Sequence, residues 1–122
     1  MSGSTKHISL QVRDQQGTVY TVELAVAEPD ETGTLSILSP AGEAAQQFEL
    51  THLRKGEDGS RLSCYANGAT ATLSLEGDKN PPELHVSASF FFPIFEGVYQ
   101  IDPAEQERFI RWIKELRIGL LT

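Results

Sequence analysis

"LHVSASFFFPIFEGVYQIDPAEQERFIRWIKELR" (residues 84–117) contains, in one stretch, the two periods from which the fold is read. From Leu84 the apolar residues alternate through Val86, Ala88, Phe90 and Phe92, the period of a half-buried antiparallel strand. Continuing that alternation turns Phe90 and Phe92 inward and leaves Phe91 on the opposite face with His85, Ser87 and Ser89. Pro93 has no N–H to give to a ladder, so it marks a bulge, an edge or a corner before a last strand, Ile94 to Ile101. The period then becomes helical. Asp102 can cap, Pro103 suits the first helical position and Glu105 stands three residues after the cap, which predicts a helix over 102–118 with Gly119 as its stop. Phe109, Trp112, Ile113, Leu116 and Leu120 fall within roughly 100° of a helical wheel and form its core-facing stripe, with Trp112 as the expected anchor to the sheet. Arg111 and Lys114 lie opposite and Arg108 and Arg117 flank the stripe, a solvated face favoured by the negative end of the helix dipole.

Upstream, turn signals divide the chain at short intervals: "DQQG" (14–17), "PDETG" (29–33), "SPAG" (39–42), "KGEDGS" (55–60), "NG" (67–68) and "EGDKNPP" (76–82). Between them apolar residues again alternate, as in Ile8, Leu10 and Val12, Tyr20 to Val26, and Ala69 to Leu75. The fold expected is mainly β: an antiparallel meander of six to eight strands forming a small barrel or bent sheet, closed by one C-terminal helix. The 122 residues are one domain's worth. Residues 1–6 read as a flexible N-terminus, 7–101 as the β-barrel or sheet and 102–118 as the helix.

Composition excludes more than it selects. Seventeen acidic against ten basic side chains leave a net charge of −7, which opposes binding to nucleic-acid backbones or anionic membranes. The single cysteine, Cys64, forbids an intrachain disulfide. No basic, apolar secretory leader opens the sequence and the apolar run from Phe90 to Phe95 is too short to span a bilayer, so a cytoplasmic, bacterial-type protein is expected.

Chemistry-bearing residues are sparse. His7, His52 and His85 sit on separate predicted strands without metal-ligand spacing, so neither a metal nor another cofactor is expected. Alternation from Phe48 and Leu50 turns His52 inward. Cys64, in step with Leu62 and Ala66, reads as a small buried hydrophobe without a neighbouring base. The acidic pairs Asp30–Glu31 and Glu57–Asp58 lie in turns, and no phosphate-cradling glycine loop occurs. No catalytic residue is assigned.

Two segments, "GTLSILSPAG" (33–42) and "EGVYQIDPAEQERFIRWIKELR" (96–117), resemble the PilZ family, small six-stranded barrels with a C-terminal helix that often bind cyclic di-GMP. The resemblance makes Ser39 and Gly42 the candidates for a ligand-binding turn. Ile37 stands where that family's turn has Asp or Asn, and its Arg-x-x-x-Arg motif has no counterpart, Arg13 being the lone arginine before residue 54. The guanidinium pair that would grip the phosphates is therefore absent, and cyclic di-GMP is not expected to bind. A pleckstrin-like barrel, which also ends in a Trp-bearing helix, is the alternative architecture.

The expected function is a non-catalytic interaction module, a degenerate PilZ-like domain that docks to a protein partner or to itself. A barrel that takes a small apolar ligand and an unrecognised enzyme are the alternatives. Phe91, Phe95 and Tyr99 are the interaction candidates, expected to form one aromatic patch. Where the aromatic excess faces discriminates the readings: outward for docking, a hollow for a ligand, convergent polar groups for catalysis.

Overall fold

The computed structural model describes residues 5–90 and 92–121. Eight of the strands formed by these residues follow one another in sequence: β1 (Thr5–Arg13), β2 (Val19–Ala27), β3 (Thr32–Leu38), β4 (Ala44–Lys55), β5 (Arg61–Ala66), β6 (Ala69–Glu76), β7 (Glu83–Phe90) and β8 (Phe92–Ile101). A helix, α1 (Pro103–Glu115), and a two-residue strand, β9 (Gly119–Leu120), complete the chain. Each strand from β1 to β8 pairs antiparallel with its sequence neighbours, and β8 returns to β1, so the hydrogen-bonded ring closes. The small meander barrel with a C-terminal helix that the alternation predicts is the fold adopted. Thr5 and Lys6 already belong to β1, which therefore starts two residues before the position read from sequence. No helix among the described residues is long and apolar enough to cross a membrane.

The alternating residues fill the interior. Leu10, Val12, Val22, Leu24, Val26, Ile37, Leu62 and Leu84 are all nearly inaccessible. The Asn67–Gly68 turn joins β5 to β6 with both residues at positive φ, 52° and 88°, the two-residue hairpin geometry that this dipeptide favours. In β4 the period slips. Thr51 opposes Tyr65 but Arg54 opposes Ser63, so His52 and Leu53 together face Cys64 across a bulge. His52 takes φ 56° and is exposed, while Leu53 is fully buried. The inward histidine expected from strict alternation is thus replaced by its neighbour.

The helix is shorter than its sequence pattern. Leu116 has left the helix, with φ −67° and ψ 137°, and the chain continues into β9, which runs parallel to β4 through Arg54↔Gly119 and Lys55↔Leu120. Leu120 is consequently on a strand and exposed, outside the helical stripe. Phe109 and Ile113 are completely buried and Leu116 nearly so, whereas Trp112 is half-buried at the margin of the core. Phe109, one turn earlier, is the anchor expected of Trp112. Lys55 of β4 donates from Nζ to the carbonyl of Lys114 at 2.8 Å and also to that of Leu116, satisfying the bare acceptors of the last turn.

At the other end Asp102 has the extended backbone of an N-cap but makes no side-chain cap bond; its carboxylate takes Arg13 Nη2 at 2.7 Å instead. Glu105 accepts the backbone N–H of Gln11 at 2.8 Å. The first turn of α1 thereby takes up the Gln11 N–H, next to the two residues of β1 that pair with β8.

Candidate functional site

The ring closes over a short seam. Only Val12↔Ile101 and Arg13↔Gln100 join β1 to β8. Beyond Arg13 the chain turns away through Asp14–Gly17, tied by two bonds to Asp14 Oδ1 from the N–H groups of Gln16 and Thr18. β8 extends past that turn to Phe92, paired there with β7 alone.

The hydrogen-bond phase of this overhang is fixed by Ile101, whose N–H donates to the Pro82 carbonyl at 2.9 Å. In an antiparallel ladder such pairs alternate with non-bonded ones. The register is unbroken from Glu83↔Gln100 to Ala88↔Phe95, so Tyr99, Gly97 and Phe95 bond toward β7. Gln100, Val98 and Glu96 aim their N–H and C=O groups the other way. Gln100 meets Arg13 of β1, while Glu96 and Val98 have no strand beside them among the described residues.

Next to these two residues lies an open cleft of ≈ 620 Å³. Phe95, Tyr99, Tyr20 and Ile37 form its apolar floor, and Gln15, Gln16 and Gln46 stand on its polar rim. Tyr20 and Tyr99 meet edge to face with centroids 5.9 Å apart. Burial, then the neighbouring Tyr20 and Asp14, raise the Tyr99 phenol above its ordinary range. Asp14 and Glu96 are the carboxylates on the cleft, and among the described residues no Lys, Arg or His lines it.

The aromatic stretch closes the β7–β8 hairpin. Phe90 opposes Phe92, Ser89 opposes Pro93, and Ile94 is the extra residue of a bulge. Pro93 sits inside β8, next to this bulge, so of the bulge, edge or corner expected of it the bulge is what forms. Phe90 and Phe92, expected in the core, are 54% and 65% exposed, and Ile94 is 54% exposed. Their parity is inward, but the strands run past the rim of the barrel. β6 reaches only Thr70↔Ser89 on one side, and β1 has already turned away on the other, so there is no interior left to enter.

Phe91 lies outside the described residues. Phe95 and Tyr99 do share one parity, but it faces the barrel: Phe95 packs on Phe48 with centroids 5.8 Å apart, and Tyr99 is buried. They belong to the cleft floor, and the outward patch expected of them is carried by Phe90, Phe92 and Ile94. Ser39 and Gly42 do lie in one turn, between β3 and β4, which spends its polar groups on itself: Gly42 N–H donates to the Ser39 carbonyl at 2.9 Å, and the Glu43 N–H to Ser39 Oγ at 3.3 Å.

The barrel interior offers little room. Its apolar cavity, lined by Leu24, Phe48, Leu62, Cys64, Val86 and Phe95 among others, measures ≈ 20 Å³, about the space of one water. Burial there pushes the Cys64 thiol up to about 11. His52 lies against Tyr65 on the outer face, and His85 against Glu83 at 3.0 Å. No group of three metal-ligating side chains forms among the described residues. One acid of each turn pair has a structural bond: Glu31 binds Gly119 N–H and Arg54, and Asp58 binds Ser60.

A scan against protein-family models and searches of curated proteins and of solved structures give no match to this chain.

Proposed function

We propose that this protein is a non-catalytic interaction module that docks through the β7–β8 hairpin, working in a reducing, cytoplasmic setting. The observation that carries this reading is the exposure of Phe90, Phe92 and Ile94 together on one hairpin end, in a chain of net charge −7. Soluble domains rarely leave a contiguous apolar patch uncovered, and aromatic side chains are the usual anchors of interfaces. A small-ligand barrel is less well supported, because the ≈ 20 Å³ interior is too small for an organic ligand. Cyclic di-GMP is not the ligand in this reading. The position expected to be acidic is the buried Ile37, and Arg13 is engaged with Asp102.

Photo-crosslinking in cells tests the proposal. Benzoylphenylalanine placed at Phe92, and separately at the exposed Asp78 on the opposite rim, is irradiated and its adducts are weighed. Discrete adducts at 92 and none at 78 are expected, their mass separating a second 13.4 kDa copy from another protein. Unmodified chain at both positions would sink the docking reading.

A further inference from the structure

The docking face combines an apolar end with a length of unpaired strand edge, and the two together say what kind of partner fits. We infer that the cleft beside β8 receives an extended peptide segment from another protein, which adds as a strand to the edge at Glu96 and Val98 and carries a cationic side chain opposite Glu96. This rests on the docking reading and specifies its partner.

Three observations converge. First, Glu96 and Val98 present two N–H donors and two C=O acceptors with no strand beside them among the described residues, and an added strand satisfies such a set through main-chain bonds. On the neighbouring edge of β1, Gln11 is not available in this way, since Glu105 already holds its N–H. Second, the space has two sides. The Asp14–Gln16 turn and the start of β4 at Ala45 and Gln46 stand across the ≈ 620 Å³ cleft from β8. A single added strand would lie between these walls, whereas the edge of a whole second sheet would bring its next strand against the turn. Phe95 to Tyr99 measure about 13 Å along the strand, so some five peptide residues are engaged. Pro93, with no N–H, and the Ile94 bulge end the usable edge on the hairpin side.

Third, the charge is one-sided. Asp14 and Glu96 line the cleft with no basic residue among its described lining, and Glu96 is exposed. A second copy would bring its own net −7 and its own Glu96, whereas a cationic segment is complemented. The pleat then sets a pattern. Peptide residues directly opposite Glu96 and Val98 point outward with them, the first Lys or Arg and the second β-branched. The alternate residues point inward over Phe95, Tyr99, Tyr20 and Ile37 and are apolar.

The test uses the full-length ¹⁵N-labelled protein and an array of capped heptapeptides alternating Val, Ile or Phe with Lys, Thr or Glu. The expected result is that Lys-bearing members bind, that added salt weakens them, and that amide exchange at Glu96 and Val98 slows by at least about tenfold. Methylating the backbone nitrogens of the peptide's outward residues should abolish binding. In the protein, Val98→Pro removes one outward donor without touching the ladder to β7 and should abolish it too. Glu96→Lys should transfer the preference to Glu-bearing peptides, which guards against misfolding as the reason for any loss. Exchange at Glu96 and Val98 unmoved by every peptide, or a charge preference unchanged in Glu96→Lys, overturns strand addition. Protection of the same two amides in the protein alone, growing with its concentration, overturns the peptide in favour of a second copy. Adducts at position 92 with no such protection leave the docking reading standing without this partner.

Discussion

The carboxylate of Glu28, in the short turn after β2, accepts the backbone N–H of Arg117 at 2.8 Å, tying together residues 89 positions apart. Glu28 is 7% exposed, the one charged residue among the buried side chains described. Three residues on, Glu31 takes the N–H of Gly119 at 2.8 Å, so two acids of one turn hold the segment that leads from α1 into β9.

Glu28→Ala leaves the Arg117 N–H without its acceptor and removes a charge-assisted bond. The expected cost is about 1–3 kcal/mol, read as a lower urea midpoint with an unchanged slope. Hydrogen exchange at Gly119 should rise in the same variant, because the segment leading into β9 loses one of its two acid clamps.

Acid should act on the second clamp. The Gly119 N–H, then the Arg54 guanidinium, hold the Glu31 carboxyl below the usual carboxylate range. A carboxyl whose native value is lowered contributes its stability above the unfolded value and loses it as the pH falls through the native one. Thermal midpoints measured from pH 7 to pH 3 should therefore converge between wild type and Glu31→Gln below about pH 4.5, with wild type higher above that. Parallel curves would show that the bond contributes nothing.

In the helix, Phe109→Ala should cost about 3–5 kcal/mol, since the ring is wholly enclosed. Trp112→Ala, at the core margin, should cost less than about 2 kcal/mol. Chemical denaturation of the two variants orders them directly.

Cys64 should be inert. A thiol pushed up to about 11 holds about a hundredth of the ordinary thiolate at neutral pH, and the residue packs against the core. Labelling by an aromatic disulfide should be slow in the native protein and become complete only when urea unfolds it.

Titrating the protein with cyclic di-GMP in a calorimeter should give no binding heat. Submicromolar affinity would return the nucleotide to the Ser39–Gly42 turn.

The barrel was legible in the sequence because each of its walls has one wet face and one dry face. Ile8 to Val12, Val22 to Val26 and Leu84 to Ala88 needed only the pleat to be placed. His52 was misplaced because strict alternation cannot register an inserted residue. The signal was nevertheless present: after Phe48 and Leu50 the next apolar residue is Leu53, a spacing of three where the strand needs two. Phe90 and Phe92 were misplaced for a different reason. Parity says which face a side chain takes, and the neighbouring strands decide whether any barrel is left at that height. The cleft beside β8 was illegible altogether, since it depends on where β1 ends relative to a strand nearly the whole chain away. The lysine of β4 that meets the end of the shortened helix is likewise distant in the chain.

The two-residue seam also bears on how the molecule is made. Every other contact around the ring joins strands adjacent in the chain, so those hairpins can form as each turn is made, in any order and with little loop entropy to overcome. Closing β8 onto β1 alone requires the ends of the chain to meet, helped by the Arg13–Asp102 ion pair across 89 residues. A curled but open ribbon is then the natural last intermediate, with ring closure as the slow step. Mutations at Val12 or Ile101 should slow folding more than equally destabilising ones within any hairpin, and in the native state the barrel should unzip from the same line.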